Sequence, residues 1–121
     1  YFADVLPTLC AIGGAKVTSR IDGVSVLPTL RGQAQPELAT RKMYWEQYSG
    51  GFQQAVRWGK WKGHLFAASD KFELYDLSVD QREANDIAVQ NPGVVREIRD
   101  FMQAAHVPSP NWSKQAPRAR R

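Results

Sequence analysis

The run Gln54-Ala55-Val56-Arg57-Trp58-Gly59-Lys60-Trp61-Lys62, followed ten residues later by Phe72-Glu73-Leu74-Tyr75-Asp76-Leu77-Ser78, constrains this chain more than any other feature. Side chains of a strand alternate between two faces, so aromatic and β-branched residues at period two on both sides of a Gly-Lys pair specify a tight hairpin. The third run, ending in Tyr-Asp-Leu-Ser, has the same period and adds a further strand. From Lys42 onward the pattern predicts strands near 42–48, 52–58, 61–66 and 71–77, joined by short Gly-rich connections that favour antiparallel pairing.

Other periods flank this sheet. Asp4 is placed to cap a short helix through Val5, Leu6, Leu9 and Ile12, which tolerates Pro7 in its first turn and stops at Gly13-Gly14. Residues 16–38 carry turn chemistry at Asp22-Gly23, Leu27-Pro28-Thr29-Leu30, Gly32 and Pro36, and read as an irregular connector. Asp80-Gln81-Arg82-Glu83 resembles a capping box and predicts a helical turn. Asn91-Pro92 opens a helix to about Ala105, with Val94, Val95, Ile98, Phe101, Met102 and Ala105 on one face and Arg96, Glu97, Arg99 and Asp100 on the other. The expected fold class is α+β: a small four-stranded antiparallel sheet packed by a C-terminal amphipathic helix. Tyr75 and Leu77 oppose Phe72 and Leu74 on their strand, so both sheet faces are expected to be apolar, and the face without the helix is expected to pack on a domain outside this sequence.

Composition narrows the function classes. With 121 residues and 43% apolar content the chain fits one compact domain. Its apolar runs are far short of the roughly 20 residues that span a bilayer, so no membrane span is expected. The net charge is +4, of which Arg118, Arg120 and Arg121 supply three; no basic stripe, zinc spacing or RNA-binding motif accompanies it, and nucleic acid is not expected as a partner. Cys10 is the single cysteine, which excludes an internal disulfide. The start at Tyr1-Phe2-Ala3-Asp4 has no Met, basic leader or cleavage site, and a start within a longer protein is expected.

Six segments, taken in order, resemble the last quarter of bacterial-type arylsulfatases. Asp4-Val5-Leu6-Pro7-Thr8-Leu9 is similar to the D-x-x-P-T-L helix that ends the large sulfatase domain, and Ile21-Asp22-Gly23-Val24-Ser25-Val26-Leu27 to the I-D-G-x-S connector after it. Met43-Tyr44-Trp45-Glu46, the Ala55–Lys62 hairpin, Glu73–Ser78 and Ala105-His106-Val107-Pro108-Ser109-Pro110 follow in register. The resemblance implies the C-terminal subdomain of an alkaline-phosphatase-like sulfatase fold. Residues 1–40 would end the large domain, 41–107 would form the subdomain, and 108–121 would be a disordered Pro/Arg-rich tail. It implies an enzyme that uses Ca²⁺ and a formylglycine made from the Cys or Ser of C/S-x-P-x-R, and a periplasmic or extracellular location. The partners would be an upstream catalytic domain of the same polypeptide and a sulfate ester, with sulfated carbohydrate among the candidates.

None of that chemistry maps onto this chain. Cys10 is followed by Ala11-Ile12-Gly13 and lacks the Pro and Arg of the precursor motif, so it is expected as a small buried residue on the first helix. No Asp or Asn set supplies the hard oxygens a divalent ion needs, so no catalytic and no metal residue is assigned. Asp76 is expected as a turn acceptor ahead of Ser78, and Glu46 as a strand residue paired with Arg57 or a Lys. Trp58 and Trp61 suit cross-strand packing and Lys60 and Lys62 a solvated hairpin. Candidate substrate contacts are Gln47, Tyr48 and His64, although relatives continue W-E-F-H-E where this chain has Trp45-Glu46-Gln47-Tyr48-Ser49. The expected function is therefore to complete the fold and cleft edge of a sulfuric ester hydrolase; the alternative is a free-standing carbohydrate- or protein-interaction module.

Overall fold

A computed structural model describes residues 1–67 and 69–110. Residues 111–121 of the Pro/Arg-rich tail lie outside the described residues. The chain divides into two compact units, Tyr1–Thr40 and Arg41–Arg121. No helix among the described residues is long and apolar enough to cross a membrane.

The first unit holds a 3₁₀ turn (Phe2–Asp4), helix α1 (Val5–Ile12) and two single-turn helices, α2 (Leu27–Leu30) and α3 (Glu37–Thr40). The connector is thus less irregular than its turn residues suggest. Asp4 is the residue before α1 but makes no side-chain cap. Its Oδ1 instead accepts the N–H of Val24 at 2.9 Å. Thr8 Oγ1 donates to the Asp4 carbonyl at 2.7 Å and accepts the Val26 N–H at 3.0 Å. Both side chains are buried, so the aspartate and threonine of this helix clamp the returning connector. Gly23 permits that return: a Cβ there would lie 1.8 Å from the Ala3 carbonyl oxygen. Cys10 is half-buried rather than buried. The apolar stripe of α1 is exposed, with Val5, Leu6, Leu9 and Ile12 each about half open and Phe2 at 90%.

The second unit carries strands β1 (Lys42–Gln47), β2 (Gln53–Trp58), β3 (Trp61–Phe66) and β4 (Lys71–Asp76), then α4 (Pro92–Ala105). The sheet is antiparallel in the order β1-β2-β3-β4, the expected meander. Gly59, at φ 55°, opens the two-residue β2–β3 turn, where type II′ hairpins take glycine. Trp58 faces Trp61 directly across it.

One sheet face is dry. Val56 and Leu74 meet Ile98 and Met102 of α4, all essentially inaccessible, and Tyr44, Trp58, Trp61, Leu65, Phe72 and Phe101 pack around them. Burying four such side chains stabilises by about 1.5–3 kcal/mol each, before the entropy of ordering them is subtracted. Gly63 sets the helix distance: a Cβ would fall 2.8 Å from Ile98 Cγ2 and 2.7 Å from Phe72 Cζ. Asn91 precedes α4 without capping it and donates its Nδ2 to the Ile87 carbonyl instead. The β4 edge is covered by the following loop, since Leu74 N donates to Asp86 Oδ1 and Ile87 N to the Leu74 carbonyl.

The predicted helical turn at 80–83 does not form. Asp80 Oδ2 accepts the N–H groups of Ala84 and Asn85, and Glu83 takes φ 55°, which breaks a right-handed turn. The Glu83 carboxylate is drawn to Lys62 Nζ, 2.6 Å from both oxygens.

Candidate functional site

The face of the sheet away from α4 follows from register. Trp45, Ala55 and His64 are aligned across three strands with Glu73 on the fourth; Gln47, Gln53 and Phe66 form the row beside them, and Met43, Arg57, Lys62 and Tyr75 the row on the other side. This face is not the uniformly apolar surface that β4 alone suggests. Its apolar groups are mainly aromatic, and amides, cations and an imidazole interrupt them. Tyr75 is buried here, its hydroxyl donating to Glu73 Oε2 at 2.7 Å.

Two adjoining depressions lie on this face. One, of about 300 Å³, is bordered by Trp45, Glu46, Gln47, Gln53, Gln54, Ala55, Lys62 and His64, although the Glu46 and Gln54 side chains belong to the helix side of their strands. The other, about 410 Å³, shares Trp45, Ala55 and Lys62 and extends past Arg57 to Leu77 and Glu83. Alanine at 55 makes the floor, because the large Trp45 and His64 flank a side chain of one carbon. The cations are already engaged: Lys62 with Glu83, and Arg57 Nε donating to the Gly59 carbonyl at 2.8 Å. His64 Nε2 lies 3.0 Å from Gln53 Oε1, and its ring sits 4.1 Å from that of Phe66. Burial pulls the His64 imidazole below its ordinary pKa and Lys62 adds to this, against an opposing effect of Glu73.

Gln47 and His64 therefore share one depression, whereas Tyr48 joins a different cluster. Glu46 points to the helix side, where its Oε1 accepts the Tyr44 hydroxyl at 2.5 Å and lies 2.6 Å from His106 Nδ1. Its Oε2 accepts the Tyr48 hydroxyl at 2.8 Å. Gln54 Nε2 donates to Tyr44 Oη, and Phe52 lies between the rings of Tyr48 and His106. Burial pushes the Glu46 carboxyl up, yet the hydrogen bonds from Tyr44, His106 and Tyr48 together hold it below the ordinary carboxylate range. The expected pairing of Glu46 with Arg57 or a Lys is thus replaced: register puts Arg57 on the opposite face, and a histidine 60 residues away takes its place. Period-two patterning shows which face Glu46 occupies but carries no trace of His106.

Asp76 accepts the Ser78 N–H and hydroxyl and meets Lys60 Nζ at 2.7 Å. The Lys60 contact first, then Ser78, lowers its carboxyl to about 2. It terminates β4 and closes the hairpin side of the sheet, as its place before Ser78 suggests. Lys60 Nζ also lies 4.4 Å from the Trp61 ring centroid. Among the described residues, no three His, Cys, Asp or Glu side chains converge as metal ligands. The described residues do not fit a divalent ion, nor does Cys10 fit a formylglycine precursor, and no chemical step through either group is assigned to them.

No family model matches the chain. It is 34% identical over 111 residues to the choline-sulfatase of Rhizobium meliloti (strain 1021), covering 85% of this chain and 21% of that protein. It is 32% identical over 89 residues to the delta 4,5-hexuronate-2-O-sulfatase of Bacteroides thetaiotaomicron, covering 70% of this chain and 18% of that one. The solved structure of a 2-O GAG sulfatase superimposes with a TM-score of 0.69 at 28% identity, over 84% of this chain and 23% of the other. The chain thus spans about a fifth of the length of the curated relatives it matches, in the C-terminal part of their chains.

Proposed function

We propose, from the premise that this chain is a C-terminal portion of a sulfatase fold, that it completes the fold and one edge of the substrate cleft in a sulfuric ester hydrolase and is not catalytic by itself. In this reading residues 1–40 close the large domain and 41–107 form the C-terminal subdomain. The observation that carries it is a sheet-and-helix unit with an intact core in the same chain as an α1 whose apolar stripe, Val5, Leu6, Leu9 and Ile12, is open. A helix of that pattern is stabilised by a partner surface, and the part of the relatives' length that this chain does not span is the natural source of one. The catalytic domain of the same polypeptide would supply the Ca²⁺ site and the formylglycine, and the enzyme would act in the periplasm or outside the cell.

Substrate contact is assigned to Gln47 and His64, which face one depression, with Tyr48 holding the end of β1 through Glu46. The relatives act on choline sulfate and on a 2-O-sulfated hexuronate by their names, and a sulfated sugar suits the amide-lined face better than a quaternary amine. The test is the polypeptide that carries these residues. Its coding sequence should contain C/S-x-P-x-R ahead of Tyr1, and the purified product should release sulfate from a sulfated hexuronate disaccharide. A polypeptide with neither property sinks the proposal.

A further inference from the structure

The helix-free face offers more than two isolated contacts. Its depression has a small floor, Ala55, between a planar wall, Trp45, which is 43% exposed, and the imidazole of His64. Gln47 and Gln53 stand at one end. Gln47 Nε2 gives one proton to the Ser49 carbonyl at 3.2 Å and Gln53 Oε1 meets His64 Nε2 at 3.0 Å, which leaves the Gln47 amide oxygen, its second amide proton and the Gln53 amide protons for a ligand. At the other end Lys62 is held by Glu83 at 2.6 Å to both carboxylate oxygens, and Arg57 is tied to its own turn. The imidazole is held toward its neutral form by burial. A volume of about 300 Å³, opening into a further 410 Å³, is within the size range of small-molecule sites.

Charge decides what such a groove accepts. An anion clamp needs cations with free donors, whereas here the nearest ammonium is bound by a carboxylate and Arg57, which keeps its charge, borders only the adjoining depression. A flat aromatic surface with amides and a neutral imidazole at its rim matches an uncharged ring that has an apolar face and a rim of hydroxyls. We infer that the groove between Trp45 and His64 binds a neutral sugar residue, with the ring stacked on Trp45, its hydroxyls bonded to the amides of Gln47 and Gln53, and the His64 ring as the opposite wall. The inference rests on the cleft-edge reading of this sheet and deepens it: the helix-free face borders the cleft instead of packing wholly on another domain, as its apolar alternation alone suggests. The groove takes the unsulfated residue next to the sulfated one, and the sulfate itself is held elsewhere.

The probe is cellobiose, titrated into the 121-residue chain while the indole N–H of Trp45 and the imidazole of His64 are followed by NMR, with inorganic sulfate and choline sulfate as separate arms. Cellobiose is expected to shift both signals with a roughly millimolar Kd, neither sulfate should do so, and Ala55→Leu, which fills the floor, should abolish the shift. Shifts produced by inorganic sulfate, or none by cellobiose, overturn the inference. A second readout uses the whole polypeptide that carries these residues. There Ala55→Leu should lower the ratio of kcat/KM for a sulfated disaccharide over choline sulfate about tenfold, and an unchanged ratio overturns the groove while leaving the sulfatase reading intact. A polypeptide that releases no sulfate from either compound removes the sulfatase reading, and the cellobiose titration then decides the groove by itself.

Discussion

At Glu46 one side chain settles how the end of β1 is held. Three donors converge on its carboxylate, and the group is mostly removed from solvent. Hydrogen bonds to a charged acceptor are worth more than neutral ones, and Glu46→Gln should destabilise the second unit by about 2 kcal/mol at neutral pH. The folded carboxyl titrates below its unfolded value, so this contribution is fully present above the ordinary Glu pKa and is lost as pH falls through the folded value. Urea unfolding from pH 7 down to pH 3 should therefore show the difference between wild type and Glu46→Gln shrinking in the acid limb. A difference that is constant with pH would mean that the cluster acts by packing alone. Asp76 belongs to the same limb, held low by Lys60 and Ser78, but its partner Lys60 is half exposed and the pair is screened.

Two glycines fix how elements approach one another. Gly63 lets Ile98 sit on the middle of the sheet, and Gly63→Ala forces Ile98 and Phe72 outward. Overpacking of this kind costs about 1–3 kcal/mol, to be read as a lowered thermal midpoint with the sheet retained by circular dichroism. Gly23→Ala should be worse for its own unit, because the added carbon meets backbone at 1.8 Å rather than a side chain that can turn. Amide exchange at Val24 and Val26 should accelerate as their bonds to Asp4 and Thr8 open. Protection equal to wild type at both amides would contradict the clamp.

The strands were legible in the sequence because alternation and Gly-rich turns are local signals, and β1 to β4 lie within a residue of where the pattern puts them. Side chains that reach across the chain were not. Asp4 sits where a cap belongs, yet the Val24 amide outcompetes the helix end for its oxygen. The Asp80 and Glu83 spacing fits a capping box, but Lys62, 21 residues earlier, captures the glutamate. The depression was visible only in part: Gln47 and His64 could be picked as polar residues in strands, whereas the roles of Ala55 and Trp45 depend on register across three strands.

At the scale of the molecule, two units of unlike surface share one chain. The sheet and α4 enclose their own core, while α1 leaves an apolar stripe open. Leu6→Glu with Leu9→Glu should change the stability of the 121-residue chain by less than about 0.5 kcal/mol, since both side chains are exposed in it. The same pair in the whole polypeptide should cause loss of soluble enzyme, measured as yield after centrifugation. Equal yields would mean that nothing packs on α1.

The most direct measurement compares sulfate release by three proteins: the whole polypeptide that carries these residues, the same polypeptide ended before Arg41, and residues 1–121 alone. Release by the whole, and by neither of the other two, is the predicted result. Full activity in the protein lacking the sheet and α4, or sulfate release by the 121-residue chain alone, would contradict it.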